Sequence, residues 1–278
     1  MSLKRRYQTH QTGPSIVKSC VVNAAKTEAH LFRTRCLVGV IGGDDSVQSE
    51  AARQFGAEIV RAGQILLTGG TPVNTNEVKN AAMWGAMQAE ERSAGEEPVR
   101  ARMIGILNSQ TEDWDTSHPC RLYLRTGLTS YERDAINGLT PDVLIVFRGG
   151  RGTLCELAYA AAACKPLRYY DSVEALRDKT QEHIADGALA PVLEEALRKY
   201  PVVLGREVSS QDLLRALCGA LDGAKSEDFD PKRTIHQVVD DVFKHGPRLG
   251  PTGFPGLNGE KRRFESLVES IGKCGSDR

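Results

Sequence analysis

Short, unbroken apolar runs alternate with longer helical patterns through the middle of this chain, and that alternation restricts the possible folds more than any other feature. Six runs are predicted to be strands, at residues 36–43, 64–70, 100–107, 121–127, 141–147 and 166–170. Helices are predicted at residues 46–63 and 76–95 and in "SYERDAINGL" and "LCELAYAAAAC". Runs without polar alternation are typical of strands covered on both faces, and strands separated by helices pair in parallel. The sequence therefore predicts an α/β fold, a doubly wound and mostly parallel Rossmann-like sheet with a helical C-terminal extension.

The 278 residues are predicted to divide into three parts. Residues 1–34 form an N-terminal segment that we expect to be partly disordered. Residues 35–172 contain the alternation of strands and helices and form the predicted nucleotide-binding domain. Residues 173–278 are predicted to be a mainly helical extension, in which the Pro/Gly-rich stretch 246–259 is a linker or an extended arm.

Charge and cysteine usage narrow the functional classes. Lys and Arg together number 36, as do Asp and Glu, so the chain lacks the net basic charge typical of nucleic-acid binders. No run of about eighteen apolar residues is present, and no membrane partner is expected. The seven cysteines are scattered and never spaced as C-x-x-C, a pattern typical of a reducing, cytoplasmic setting. We expect no metal and no other cofactor, and a small-molecule nucleotide as the ligand.

Three glycine-rich loops follow predicted strands, at residues 41–46, 68–74 and 148–153. In an open parallel sheet, ligands bind outside the carboxyl ends of the strands, where the strand order reverses. One glycine pair is typical of any tight turn, whereas three such turns on one sheet indicate a binding crevice. The crevice residues predicted from the first two loops are Gly42, Gly43, Asp44, Asp45, Gly69, Gly70 and Thr71. Asp44 or Asp45 is expected to be available for hydrogen bonds with the hydroxyl groups of a ribose.

The third loop, "GGRGTLCE", is the predicted phosphate site. Its glycines allow the backbone to approach a ligand closely, and a helix is predicted to begin at about Thr153. The start of a helix offers unpaired N–H groups and a partial positive charge, which favour phosphate. The residues predicted to bind phosphate are Gly149, Gly150, Arg151, Gly152 and Thr153, with Arg148 beside them. The P-loop motif G-x-x-x-x-G-K-[ST] is absent, so the chain is not a P-loop protein. The motif G-x-G-x-x-G is absent as well, which disfavours a dinucleotide dehydrogenase.

Two charged residues near this loop have alternative interpretations. Thr153 and Glu156 fit a capping box, in which the glutamate only caps the helix start. Alternatively, Glu156 faces a bound sugar and acts as a base or stabilises a cationic centre. Arg133 is either a solvated helix charge between Glu132 and Asp134 or a residue that binds the ligand.

Taken together, these motifs resemble the Lonely Guy (LOG)-like branch of nucleotide-binding Rossmann proteins. In that family an arginine element precedes a strand, a "PGGxGTxxE" loop and a helix. Here the counterparts are Arg133, the strand "DVLIVF" and "GGRGTLCE", with the arginine sixteen residues before Gly149. The segment "TGLTSYERDAINGLTPDVLIVFRGGRGTLCELAYA" is most similar to the subgroup that includes molybdenum cofactor carrier proteins. The resemblance covers about residues 36–172.

The resemblance implies two different functions, of which hydrolysis of an N-glycosidic bond is our prediction and binding of an anionic ligand without conversion is the alternative. LOG enzymes are phosphoribohydrolases, which cut the N-glycosidic bond of a nucleoside 5′-monophosphate. For such an enzyme, Arg133 and Glu156 match the catalytic pair, and the glycine loop matches the 5′-phosphate site. Carrier proteins of the family hold an anionic pterin cofactor without converting it. Family members are commonly dimers or larger, so a homodimer or higher homo-oligomer is expected.

Overall fold

The computed structural model describes residues 35–43, 46–70, 77–92, 103–108, 122–226 and 230–245. The six strands of the main sheet are β1 (Leu37–Ile41), β2 (Ile65–Thr68), β3 (Met103–Leu107), β4 (Leu122–Arg125), β5 (Val143–Val146) and β6 (Leu167–Tyr169). The helices are α1 (Ser46–Arg61), α2 (Val78–Arg92), α3 (Ser130–Leu139), α4 (Arg151–Ala162), α5 (Val173–Ala185), α6 (Leu189–Leu197), α7 (Ser210–Asp222) and α8 (Pro231–His245). A two-stranded antiparallel hairpin consists of β7 (Val202–Val203) and β8 (Arg206–Glu207).

All six strands of the main sheet run parallel in the order β4-β3-β2-β1-β5-β6. The predicted doubly wound Rossmann-like fold is therefore confirmed, although each strand is shorter than its apolar run. The chain first builds outward from β1 to β4 and then returns to the other side of β1 with β5. The strand order consequently reverses between β1 and β5, and this is where the fold provides a crevice.

Helices cover both faces of the sheet, which is why its strands read as continuous apolar runs. On one face, α1, α2 and α8 pack over a core in which the ring of Phe55 contacts Phe147 edge-on, with centroids 5.8 Å apart. On the other face, α4 lies in a core shared with α5, α6 and α7, to which Leu157, Leu176 and Leu217 belong. The buried side of α3 contributes Ile136 to a third cluster over β3 and β4.

The helical character expected after residue 172 is present in the described part of that region, where α5, α6 and α7 lie. The sequence analysis did not predict α8, whose Ile235 and Val238 are buried in the core beside α1. The expectations for residues 1–34 and 246–259 fall outside the described residues. Within the described part of the chain, no helix is long and apolar enough to cross a membrane.

Close packing of α1 on α2 depends on two glycines that face the partner backbone. A methyl group on Gly85 would overlap the Arg53 carbonyl group, and one on Gly56 would overlap that of Ala82. We expect Gly85→Ala to lower the free energy of unfolding by about 1–3 kcal/mol, because the two helices must separate. Gly219→Ala is the matched control, since nothing lies within 4 Å of its added methyl group. That change is expected to stabilise by about 0.5–1 kcal/mol, and equal losses in both variants by urea denaturation would contradict the packing argument.

Candidate functional site

A cleft of about 370 Å³ opens at the carboxyl ends of β1, β2 and β5. Three helices, α2, α3 and α4, begin at this cleft. The side chains that they contribute to its lining are Lys79, Ser130, Tyr131, Arg133, Asp134 and Thr153. The remaining walls include backbone of the glycine turns after the three strands. The cleft thus lies at the reversal of strand order, as the fold predicts.

The loops after β1 and β5 are held together by backbone contacts. The Gly43 N–H donates to the Arg148 carbonyl oxygen at 2.9 Å, and the Gly43 carbonyl oxygen accepts from the Val78 N–H at 3.1 Å. Gly149 lies where the two loops approach closely. A methyl group added to it would lie 2.6 Å from Thr153 Cβ and 2.9 Å from the Gly43 nitrogen. Two of the three predicted glycine loops therefore pack directly against each other.

Helix α4 begins at Arg151, two residues earlier than the sequence suggested. Gly150 is its N-cap and supplies no side-chain hydrogen bond, and the Gly150 carbonyl oxygen accepts from the Leu154 N–H at 3.0 Å. The N–H groups of the first helical turn have no acceptor within a helix, and Gly150, Gly152 and Thr153 of this helix start line the cleft. The capping-box interpretation of Glu156 is wrong, because that residue lies beyond the first turn of α4. A capping box occurs instead at the start of α3, between Thr129 and Glu132.

Arg133 is buried, and its interpretation as a solvated helix charge is wrong. The guanidinium Nη1 donates to the Gly69 carbonyl oxygen at 3.1 Å and to the Ile106 carbonyl oxygen at 3.4 Å. Its Nη2 lies 3.2 Å from Asp134 Oδ1. A methyl group on Gly69 would overlap the guanidinium, so the glycine after β2 provides the space in which Arg133 lies.

Glu156 is completely buried beneath the cleft. Its Oε1 accepts from Lys79 Nζ at 2.7 Å and from Asn137 Nδ2 at 2.8 Å. The Lys79 side chain is 14% exposed while that of Glu156 is 0% exposed, so the ammonium group covers the carboxylate on the cleft side. Three elements, α2, α3 and α4, are thereby joined by one charged group.

Asp134 is the acidic side chain of α3 that lines the cleft, and it lies beside this cluster. Burial, together with the neighbouring charge of Glu156, raises the pKa of Asp134 to about 7, although Arg133 and Lys79 act in the opposite direction. Burial also raises the pKa of the adjacent Cys155 thiol well above its usual value, so the thiol stays neutral. A carboxyl group that changes its protonation near neutral pH therefore faces the cleft.

Comparisons with known proteins place the chain in a family. The family model described as "SLOG cluster4 family" matches residues 35–194. The chain belongs to the SLOG cluster4 family. SLOG denotes the LOG-like superfamily, so the predicted resemblance is confirmed.

Solved structures similar to this SLOG chain include two proteins of the molybdenum cofactor. One is the molybdenum cofactor binding protein from the phototrophic bacterium Rippkaea orientalis, 26% identical over 67% of this chain and 98% of that chain, with a TM-score of 0.41. The other is the molybdenum cofactor carrier protein from Chlamydomonas reinhardtii, 30% identical over 58% of this chain and 98% of that chain, with a TM-score of 0.41. A search of curated proteins gave no match.

The SLOG cleft brings together many of the residues predicted from the sequence. Those that line it are Gly42, Gly43, Gly69, Arg133, Gly150, Gly152 and Thr153. Among the other described residues, Gly70, Gly149 and Arg151 do not line it, and Glu156 lies beneath. Asp44, Asp45 and Thr71 fall outside the described residues. The guanidinium of Arg148 turns to Asp171, with Nη2 2.6 Å from Oδ2. In the described ranges, no group of three His, Cys, Asp or Glu residues is suited to hold a metal ion.

Sequence analysis missed several polar residues of this SLOG site, among them Asn137, Asp134 and Lys79. Asn137 is four residues after Arg133 and therefore lies on the same face of α3, a spacing that could have indicated it. Asp134 is adjacent to the predicted arginine, but nothing in the sequence distinguishes it from a surface carboxylate. The sequence around Lys79 gives no register relative to Glu156, so the approach of the two side chains depends on the tertiary fold.

Proposed function

We propose that this SLOG protein binds a phosphorylated nucleotide-like molecule in the cleft, with the phosphate at the start of α4. The observation that carries this proposal is the combination of an N-cap without a side-chain bond, Gly150, and a cleft onto which that helix start opens. Helix starts of this kind bind phosphate through unpaired N–H groups and the helix dipole. Gly152 adds no side chain that would shield the N–H groups of the turn.

Charged side chains on the cleft support an anionic ligand. The basic residues Arg133 and Lys79 both line the cleft, as does the acidic Glu77, which precedes α2. The present partner of Arg133 is the Gly69 carbonyl oxygen, and that of Lys79 is the fully buried Glu156 carboxylate. Each cation can therefore keep its buried partner while it attracts a phosphate from above.

The size and composition of the cleft support a small molecule rather than a polymer. A volume of about 370 Å³ lies within the range of small-molecule sites. Tyr131 and Ser130 line the cleft at the start of α3, where an aromatic ring and a hydroxyl can contact a base or a sugar. A nucleoside monophosphate is small enough for the cleft and carries a base and a sugar for these side chains to contact. A phosphorylated pterin also fits in size and offers a ring system, and it is the ligand class suggested by the resemblance to molybdenum cofactor carriers.

Hydrolysis of the N-glycosidic bond is the second candidate function. It is favoured by the position of Glu156 directly beneath the cleft and next to the Arg133–Asp134 pair. Departure of the base leaves positive charge on the sugar, which a carboxylate stabilises, while the bound phosphate orients the ribose. Glu156 is covered by Lys79, so this activity requires the lysine side chain to move when the substrate binds.

One experiment separates these functions. The purified protein is incubated with purine and pyrimidine nucleoside 5′-monophosphates and with the phosphorylated pterin of the molybdenum cofactor. Binding is measured by calorimetry, and free base is measured by chromatography. We expect at least one compound to bind with micromolar affinity and remain intact. Release of base that disappears in Glu156→Gln, with binding retained, would establish the hydrolase instead. If none of the compounds binds, the proposed function is wrong.

A further inference from the structure

We propose that Asp134 is a specificity-determining residue of the cleft, which in its protonated form donates a hydrogen bond to an oxygen of the bound phosphate. This inference rests on the proposed function and assigns to Asp134 a role that no motif indicated.

The Asp134 carboxyl group is enclosed by protein and yet directed at the ligand space. The side chain is 3% exposed and lines the cleft. Its Oδ1 has no hydrogen-bond partner in the described part of the chain, although Arg133 Nη2 lies 3.2 Å away. Oδ1 is thus enclosed beside Arg133, and Oδ2 is the oxygen that approaches the start of α4 at Gly152.

Gly152 connects this carboxyl group to the predicted phosphate position. A methyl group on Gly152 would lie 2.9 Å from Asp134 Oδ2, so the backbone of the first turn of α4 and the carboxyl group approach each other without a side chain between them. A phosphate bound to the N–H groups of that turn would therefore lie beside Asp134. An ionised aspartate would repel it, whereas a protonated one would donate to it.

The charged and titratable groups around Asp134 come from all three helices that meet here. They are Arg133 from its own helix, Lys79 from α2, and Glu156 and the neutral Cys155 thiol from α4. Lys79 and Asn137 both donate to Glu156. Burial favours the protonated form of Asp134, and the neighbouring Glu156 adds to this through its charge and a side-chain hydrogen bond.

The sign of the pH effect follows from this arrangement. Because burial raises the pKa of Asp134 to about 7, the donor form predominates below that pH and the repelling form above it. A bound phosphate favours the protonated form further. Affinity is therefore expected to fall as the pH rises through neutrality, by about tenfold for the loss of one hydrogen bond to a charged acceptor.

The test measures binding of adenosine 5′-monophosphate and of inorganic phosphate by calorimetry at about pH 6 and about pH 8, values on either side of the pKa of Asp134. Asp134→Asn keeps the shape of the side chain and donates at both pH values. Asp171→Asn is the matched control, because that carboxylate is exposed and pairs with Arg148 outside the cleft. The titration of the ligand itself is common to all three proteins and cancels in ratios of their dissociation constants.

We expect the wild type and Asp171→Asn to lose about tenfold in affinity relative to Asp134→Asn over this pH change. A different result is that all three proteins bind and the ratio of wild-type to Asp134→Asn dissociation constants is the same at both pH values. That result would overturn the role of Asp134 and leave the proposed function intact. Absence of binding in every protein would overturn the role of Asp134, and the proposed function fails with it if the other nucleotides and the phosphorylated pterin do not bind either. If Asp134→Asn does not fold, infrared difference spectra of the wild type decide: the carbonyl band of a protonated carboxyl group must shift when the ligand is added at the lower pH. An unshifted band rejects the proposal.

Discussion

Replacing Lys79 by methionine is expected to lower the free energy of unfolding by about 3 kcal/mol or more, the usual cost of leaving a buried charge without its partner. Methionine preserves most of the length and apolar surface of the lysine stem but removes the ammonium group. Glu156 would then keep only the Asn137 amide as a donor while remaining fully buried. The loss is expected to be larger at alkaline pH, since at acidic pH a proton can neutralise the isolated carboxylate. Urea denaturation at several pH values measures it.

Two further variants show whether the pair itself accounts for this loss. In the double variant Lys79→Met with Glu156→Gln, no buried charge is left unpaired, so stability should recover by about 2 kcal/mol relative to Lys79→Met alone. Lys179→Met is the matched control, because Lys179 forms an ion pair of the same 2.7 Å length with Glu182 on the surface. Exposed pairs contribute about 0–1 kcal/mol. A double variant as unstable as Lys79→Met would show that the methionine, not the unpaired glutamate, causes the damage.

Lys79 and Lys179 show which features of the structure could be predicted from the sequence and which could not. The order of strands and helices follows from the spacing of apolar residues, because burial on both faces of a parallel sheet produces unbroken runs that are visible in the sequence. The crevice was predictable for the same reason, since its position depends only on where parallel strands end. Nothing in the local sequence distinguishes Lys79 from Lys179, however. Their difference comes from what packs above each side chain.

The start of α4 shows a second limit of local patterns. The spacing of Thr153 and Glu156 satisfies the capping-box rule, yet the helix begins at Arg151 because the flexible backbone of Gly150 can serve as N-cap. This shift moves Glu156 beyond the first turn and buries it beneath the cleft. A motif defined by spacing alone cannot specify the register of a helix start in a glycine-rich loop, where several residues can begin the helix at similar cost.

Arg133→Gln is expected to weaken binding of the nucleotide-type ligand by about a hundredfold, the loss of about two hydrogen bonds from a charged donor. The guanidinium has two functions in the fold. Its Nη1 holds the carbonyl ends of β2 and β3 through Gly69 and Ile106, and its charge lies on the cleft opposite the start of α4. Glutamine is too short to maintain both, so the affinity and the shape of the cleft floor are lost together. Titration of the folded variant with the ligand identified by calorimetry measures the effect.

Arg148→Gln provides the matched control for this loss, because Arg148 is closer to the glycine loop in sequence but faces away from the cleft. Its guanidinium donates to Asp171 through both the side chain and the backbone carbonyl group of that residue, and its own backbone, not its side chain, holds the Gly43 turn. We therefore expect affinity to change less than about threefold. If Arg148→Gln impaired binding as much as Arg133→Gln, the phosphate would have to lie on the outer side of the loop. In that case Arg148 and Arg151 would replace Arg133 and Lys79 as the cations that recognise it.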